Sequence, residues 1–404
     1  MAEELIPPQK HASFSSSYTS TSTSVEKKGL SMEGGTGDGS YARNSVAQAA
    51  AIGEVIHKFR AALRSLEFRD ESVIRIADLG CSTGPNTLSV VSLVVNCLQE
   101  NHLLDQVEYQ AFFSDLPSND FNTLFHMLPP FLDTATDQGS TATRAYHAAG
   151  VPGSFFRRQF PKASLHVTMS FLSLHWLSKV PEAVEDPNSP AWNKEIVSVD
   201  HAPFPVVEAF VQQAKEDLRA FLKSRAEEMV PGGLIFLLFP GREDHYHPEI
   251  QWPSKESDPS DPSDPHYLFT TEFLNSWNDL VSEGLITAET RDAFNLPTFN
   301  RSLNEVEQAV KESLYFDIRI LEQKIGSWFS SADREKWACD HKVFGKMWNN
   351  IARSTLSNLI EARLGPQLTH IFFQRNEANI IKLATEILSP RHYYVLNVVC
   401  LLRR

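Results

Sequence analysis

The sequence predicts an α/β fold built on a mostly parallel sheet. Three observations carry this expectation. Apolar strand candidates alternate with helical segments through most of the chain. A glycine-bearing turn at 77–86 separates a strand from a buried helix. Leu234–Phe239 (LIFLLF) is apolar throughout, as expected of a strand covered on both faces.

The elements follow in order. Val73 to Leu79 (VIRIADL) is a strand ending at Gly80. Thr87 to Leu98 (TLSVVSLVVNCL) has the length and apolar density of a buried helix. Tyr109 to Phe113 is a second strand and Leu165 to Met169 a third. Between Val207 and Met229, apolar residues recur at 3- and 4-residue spacings (Val207, Phe210, Val211, Ala214, Leu218, Phe221, Leu222), the signature of an amphipathic helix. Pro231-Gly232-Gly233 is read as its stop, ahead of the LIFLLF strand. Tyr315–Leu321 and Tyr393–Leu402 are strands near the end. Residues 243–310 break the alternation, with a Pro-rich loop and then a helix over Glu272–Glu283. Residues 327–364 are helical and carry Trp328, Trp337 and Trp348. Both segments are expected to pack over the ligand edge of the sheet as a lid.

Composition narrows the function. The 404 residues are 42% hydrophobic and 22% charged, with a net charge of −13. A chain this acidic lacks the cationic face that nucleic acid or an anionic membrane requires. No uninterrupted apolar stretch reaches the ~18 residues of a membrane-spanning helix. Cys81, Cys97, Cys339 and Cys400 have no metal or redox spacing and read as reduced, buried thiols of a cytoplasmic protein. Ten of the twelve residues at 13–24 are Ser or Thr, so about 1–30 is expected to be disordered. An Arg-rich transit peptide is disfavoured by Glu3, Glu4 and Glu26 and by the lack of Arg before Arg43, and no secretory signal is expected. The repeated Ser-Asp-Pro at 257–265 fits neither helix nor central strand and reads as a surface loop.

The strongest chemical signal is Ala77-Asp78-Leu79-Gly80-Cys81-Ser82-Thr83-Gly84-Pro85-Asn86. Glycines there let backbone approach a ligand, and a helix N-terminus follows. A dinucleotide or an adenosyl compound such as S-adenosylmethionine fits. The Gly80-x-x-x-Gly84 spacing departs from the GxGxxG dinucleotide pattern, and Asp78 before the turn suits an adenosyl amino acid better than a pyrophosphate. The bland alternative is an ordinary tight turn. Asp115, in Ser114-Asp115-Leu116-Pro117 after the second strand, suits ribose hydroxyls; a helix N-cap explains it equally well. Gly34–Tyr41 is Gly-rich but follows no strand, which argues against a phosphate loop. Tyr41, Asn44, Ser45 and Gln48 would share one face of a helix starting there, beside a glycine hinge, as in a closing flap. His175-Trp176, taken alone, reads more readily as structural than as functional.

Together these segments resemble a known family, the plant SABATH methyltransferases. The resemblance is carried by MEGGTGDGSYARNS (32–45), IADLGCSTGPN (76–86), SDLPSNDFNTLF (114–125), GVPGSFFRRQFP (150–161) and SLHWLSKVPEAV (173–184). RAEEMVPGG (225–233) and FNLPTF (294–299) continue it, in the family's order, over about 32–404. It implies a Rossmann-like class I methyltransferase sheet with an α-helical cap. Residues 31–404 would form a single methyltransferase domain, with core about 60–240, 312–323 and 370–404, and cap about 243–311 and 324–369.

The resemblance also implies methyl transfer from S-adenosylmethionine to a carboxylate, or in some members to a ring nitrogen. Tyr41 and Ser45 would line the methionine end of the cofactor, with Asp78, Gly80 and Asn86 at the first turn. Asp115 would hold the ribose and Leu116 the adenine, under Ser154 and Phe155. Gln48 and Trp176 would hold the substrate carboxylate, with Phe156 and His175 near the substrate. A Mg²⁺ carried by some members implies Asn193, Asp292, Phe294 (backbone oxygen) and Asn295 as ligands. A homodimer is implied as well.

Two positions depart from benzenoid-methylating members. Glu33 stands where Lys is common and Leu172 where an aromatic is common, and both argue against a salicylate-specific pocket. The expected reaction is methyl-ester formation on a benzoate, salicylate, cinnamate or indole-3-acetate type of acid. The alternatives are N-methylation of a heterocycle and a non-catalytic protein that binds a small acid.

Overall fold

A computed structural model describes residues 30–68, 71–101, 107–131, 143–252 and 268–404. The Ser-Asp-Pro loop and all but Leu30 of the expected extension lie outside the described residues.

The strands are β1 (Val73–Leu79), β2 (Glu108–Asp115), β3 (His147–Pro152), β4 (Leu165–Phe171), β5 (Met229–Arg242), β6 (Arg301–Ser302), β7 (Phe316–Ser327) and β8 (Tyr393–Arg403). They form one sheet in the order β3-β2-β1-β4-β5-β8-β7, with the two-residue β6 paired to β5. Strands β1 to β6 are joined in parallel, and β8 lies antiparallel between β5 and β7.

The helices are α1 (Tyr41–Asn44), α2 (Val46–Arg64), α3 (Pro85–Asn101), α4 (Phe121–His126), α5 (Phe204–Glu228), α6 (Leu268–Ser282), α7 (Ala288–Asp292), α8 (Leu303–Ser313), α9 (Ser331–Ala338) and α10 (His341–Ile387). Helix α2 buries Ile52, Val55, Phe59 and Leu63, a stripe at 3- and 4-residue spacing, and Phe59 meets Phe236 of β5 at 4.5 Å between ring centroids. Each such side chain contributes roughly 1.5–3 kcal/mol when fully buried. The sheet face covered by α2 also carries α3. The opposite face of the sheet packs against α5 and α8 through Leu218, Phe221, Val306 and Val310. Two helical layers thus sandwich the sheet, which explains why LIFLLF shows no alternation.

Several expectations need correction. The strand at 165–171 is the fourth, because β3 precedes it. That edge strand (HAAGVP) is only half buried and too poor in apolar residues to declare itself. Pro231-Gly232-Gly233 follows the helix end as expected, but lies inside a strand. The helix ends at Glu228, and the three residues form a bulge inside β5, where pairing jumps from Leu165–Met229 to Val167–Leu234. Helix α8 was not anticipated, although Ser302 and Glu305 form the capping box that begins it. Three cysteines are buried and Cys339 is exposed; all four are free. Among the described residues, no helix is long and apolar enough to cross a membrane.

In the cap, α6 and α10 pack around Trp277, Phe294, Phe372 and Phe373, and α9 packs on α10 through Trp337 beside Phe329 and Phe344. Helix α10 breaks at Gly365 (φ 74°), just before Pro366, into two arms. The arms lie antiparallel: a Cβ on Gly345 would strike Ile381, and Asn376 donates to Asn349 (2.9 Å).

Candidate active site

The carboxyl ends of β1, β2 and β4 open into a cavity of about 650 Å³, where open α/β sheets place their ligands. A smaller chamber adjoins it and shares Tyr41, Gln48 and Gly80.

The turn after β1 is held in a strained form. Gly80 (φ +80°) and Ser82 (φ +52°) are both left-handed, and a Cβ on Gly80 would lie 2.4 Å from the Ser173 hydroxyl oxygen. Only glycine fits there without displacing the turn after β4. Ser82 Oγ is buried without a hydrogen-bond partner at the cavity wall. Asp78 lies at the smaller chamber with Asn86, and accepts a bond from the Thr87 hydroxyl. Burial pushes the Asp78 carboxyl up to about 7, against that opposing bond.

Asp115 ends β2 and lines the main cavity. Its two carboxyl oxygens accept from the Ser82 and Leu116 backbone N–H groups, each at 2.7 Å. Burial pushes it up to about 6 despite these bonds. The N-cap alternative fails, because the next helix starts at Phe121 and is capped by Asp120. Two desolvated carboxyls beside an unpartnered hydroxyl and a glycine cradle fit an adenosyl amino acid, which brings positive charge and hydroxyl donors.

The flap is fixed over this turn. Its expected single polar face is corrected: the helix breaks at Ser45, and Asn44 turns back to the Asp38 and Ser40 carbonyls. Tyr41 and Gln48 still line the cavity, and Gln48 Oε1 is buried without a partner. Ser45 is buried, and its carbonyl accepts from Asn86 Nδ2 (2.9 Å). A Cβ on Gly84 would lie 3.2 Å from Ala42, so flap and cofactor turn touch. Asn358 of α10 donates to the Ser31 and Met32 carbonyls, and Glu33 N–H donates to the Ser354 carbonyl (2.8 Å). Glu33 itself does not line the cavity; Leu172, with φ +57°, does.

Ser154, Phe155 and Phe156 form the wall after β3, and Leu116 lies with them. Two residues not singled out from the sequence hold this loop. Buried Arg225 donates to the Phe155 carbonyl (2.7 Å) and the Arg157 carbonyl (3.1 Å), and pairs with buried Glu228, which accepts from the Phe160 N–H (3.0 Å). RAEEMVPGG contained both, but spacing alone gave no reason to fold their charges inward.

His175 and Trp176 line the cavity after β4. Their loop is pinned by backbone bonds from Leu177 to Pro297 and from Phe299 to the His175 carbonyl, and by buried Arg301 donating to the Leu174 carbonyl (2.6 Å). Burial, then the Arg301 charge, push the imidazole down to about 3, so it is neutral at physiological pH. The cap adds Trp252, Trp328, Trp348, Phe273 and Glu272, together with Asp200, Gln251 and Asn300 from the loops below it. Trp337, expected among the lid aromatics, packs against Phe344 and does not line the cavity.

The expected metal set leaves one buried acceptor, Asn193 Oδ1, without a partner, but it offers a divalent cation no free charge. Asn193, Asp292, Phe294 and Asn295 are all buried, and Asn193 Nδ2 donates to Asn295 Oδ1 (2.6 Å). The one charged member, Asp292, already holds the Arg291 guanidinium at 2.8–2.9 Å and accepts the Glu195 N–H (3.1 Å). A second cation there would meet a neutralised carboxylate and a neighbouring positive charge. None of the four lines the cavity, and no step of the reaction is routed through them.

Comparison with known proteins agrees with this geometry. A family model described as SAM dependent carboxyl methyltransferase matches residues 27–404. The chain is 39% identical over 386 residues to indole-3-acetate O-methyltransferase 1 of Oryza sativa subsp. japonica, covering 92% of this chain and 91% of that protein. It is 37% identical over 368 residues to gibberellic acid methyltransferase 2 of Arabidopsis thaliana, covering 89% and 91%. Among solved structures, loganic acid methyltransferase with SAH superposes with a TM-score of 0.76 at 28% identity, covering 92% of this chain and 98% of that one.

Proposed function

This chain belongs to the SAM-dependent carboxyl methyltransferases, and we propose that it methylates a small carboxylic acid with a largely apolar body, of the benzoate, cinnamate or indole-3-acetate type, with residues 31–404 acting as one domain. One observation carries the reading: the cofactor turn, Gln48 and Trp176 border a single cavity whose cap wall is aromatic.

The chemistry asks little of side chains. A carboxylic acid of pKa ~4 is ionised at neutral pH, so no general base is needed. The cofactor supplies, when bound, a sulfonium methyl group that a carboxylate oxygen displaces. Asp115, with one N–H bond on each oxygen, keeps lone pairs for the ribose hydroxyls, and Leu116 lies against the adenine under Ser154 and Phe155. Tyr41, Asp78, Gly80 and Asn86 surround the methionine end, and Ser45, which lines neither chamber, holds Asn86 through its carbonyl. Gln48 and Trp176 present N–H donors to the acid and hold its oxygen in line, while Phe156 and neutral His175 pack its body. Holding the reactants in line supplies roughly 7–11 kcal/mol of barrier reduction, and the closed flap excludes water. The protein is read as a cytoplasmic homodimer: unpaired thiols suit a reducing compartment, and sedimentation of the purified chain tests the assembly.

Tritiated-methyl transfer to a panel of benzoate, cinnamate, indole-3-acetate and gibberellic acid tests the reading. Label is expected in an extractable ester of at least one acid. Binding of S-adenosylhomocysteine with no labelled ester from any acid overturns it.

A further inference from the structure

The cap wall carries a buried acid that methyl transfer does not use. Glu272, in α6, is 6% exposed and lines the cavity. The Trp348 side chain donates to its carboxyl, while Oε2 is buried with no hydrogen-bond partner. Other polar groups lining the cavity on the cap side are bonded within the protein. Asp200 accepts from the Gln251 N–H (3.0 Å) and the Thr270 hydroxyl (3.1 Å). Asn300 donates to the Gln251 carbonyl (2.8 Å), and Asn376 bonds Asn349 and Ser276. Buried polar atoms without partners are costly and rare. This one borders the substrate cavity, where a ligand atom would complete it.

The chemistry of that atom follows from the carboxyl. Burial pushes Glu272 up to about 8, so it is mostly protonated at neutral pH. The oxygen that receives the Trp348 N–H acts as acceptor, which leaves the proton on Oε2. An Oε2–H donor requires an acceptor. A hydroxyl or carbonyl oxygen meets this need, whereas a bare hydrocarbon ring or an indole N–H does not.

We infer that Glu272 determines specificity, its free oxygen taking a hydroxyl or carbonyl group carried on the body of the acid, so that oxygenated acids are preferred over their unoxygenated counterparts. This rests on the carboxyl-methylation reading for the placement of the other end of the acid. A site built to hydrogen-bond a substrate oxygen discriminates strongly against the analogue lacking it.

Matched pairs test it: cinnamate with 4-hydroxycinnamate, and indole-3-acetate with 5-hydroxyindole-3-acetate. Calorimetry on protein loaded with S-adenosylhomocysteine gives a binding ratio for each pair, and labelled methyl transfer gives the ratio of kcat/KM. In the wild type the hydroxylated member of at least one pair is expected to bind about 10-fold more tightly. Glu272→Leu brings that ratio near one. Glu272→Gln keeps the shape with a weaker donor, and its ratio drops at least about threefold, which decides the matter if the leucine variant does not fold. No preference in either wild-type pair, or a preference intact in the variants, overturns the inference. The two readings separate cleanly. Preferential binding without label in any ester removes the reaction and leaves this role of Glu272. Label in both members at equal kcat/KM removes the role and leaves the reaction.

Discussion

The cofactor wall and the cap wall of the cavity are built on opposite plans. The cofactor wall comes from short contiguous turns, each closing one strand, and its contacts run largely through backbone: Gly80, the N–H groups on Asp115, and the carbonyls held by Arg225. The cap wall is assembled from residues scattered between 251 and 376, and it is tied together by side chains, as where Asn376 meets Asn349 and Ser276. Backbone turns fix what every member of a cofactor class shares. Dispersed side chains vary one at a time, which suits the half that selects the acid. Substitutions in the first wall should therefore act on cofactor binding whatever the acid, and substitutions in the second on acid choice alone.

The largest expected effect is at the cofactor turn. Gly80→Val places a branched side chain where even a Cβ meets Ser173, and calorimetry should find no binding of S-adenosylhomocysteine. Normal affinity would break the distinction between the walls. Arg225→Ala leaves Glu228 buried and unpaired, and urea denaturation should show about 3–5 kcal/mol of lost stability. A loss below ~1 kcal/mol would mean the loop at 154–160 is held by something else. Trp176→Ala removes one buried hydrogen bond and its packing, so kcat/KM should fall by ~10- to 1000-fold with cofactor affinity preserved. Unchanged kinetics would sink the carboxylate clamp.

A smaller effect depends on pH. Burial raises the Asp115 and Asp78 carboxyls to about 6 and 7. The protonated forms stabilise the free protein at pH below ~4, and that contribution is lost as pH rises through 6 to 7. Cofactor that binds the ionised pair offsets the loss. The rise in Tm on adding S-adenosylhomocysteine should thus be greater at pH 8 than at pH 5, and equal increments would remove the carboxyls from cofactor recognition. At the bottom of the scale, EDTA should leave methyl transfer unchanged, because Arg291 already neutralises Asp292. Activity lost to EDTA and restored by Mg²⁺ would reverse that conclusion.

The same contrast explains what the sequence disclosed. The β1 turn, Asp115 and the buried β5 strand are contiguous, so periodicity and turn chemistry expose them. The carboxylate-holding role of Gln48 and Trp176 was legible only through resemblance of whole segments, since a lone Gln or Trp carries no local signature of it. Arg225, Glu228 and Arg301 look like solvated charges on helices or strands until tertiary packing turns them inward. Glu272 was read only as the start of a helical pattern. Its burial depends on Trp348, 76 positions away, and no local pattern encodes that meeting. Strand β3 escaped because an edge strand needs less apolar surface than a central one.

The folded-back helix α10 has a consequence for how such a pocket diversifies. Its arms meet across Asn349 and Asn376, and Ser276 and Asn379 extend the seam to α6. Sliding one arm by a turn would strand several buried amides at once, so the hairpin is locked in place much as a single buried asparagine fixes coiled-coil alignment. The cap is then a stiff palate. New acids are accommodated in evolution by exchanging side chains on a frame that stays still, and lineages with different substrates should differ at the cavity surface while keeping the amide seam.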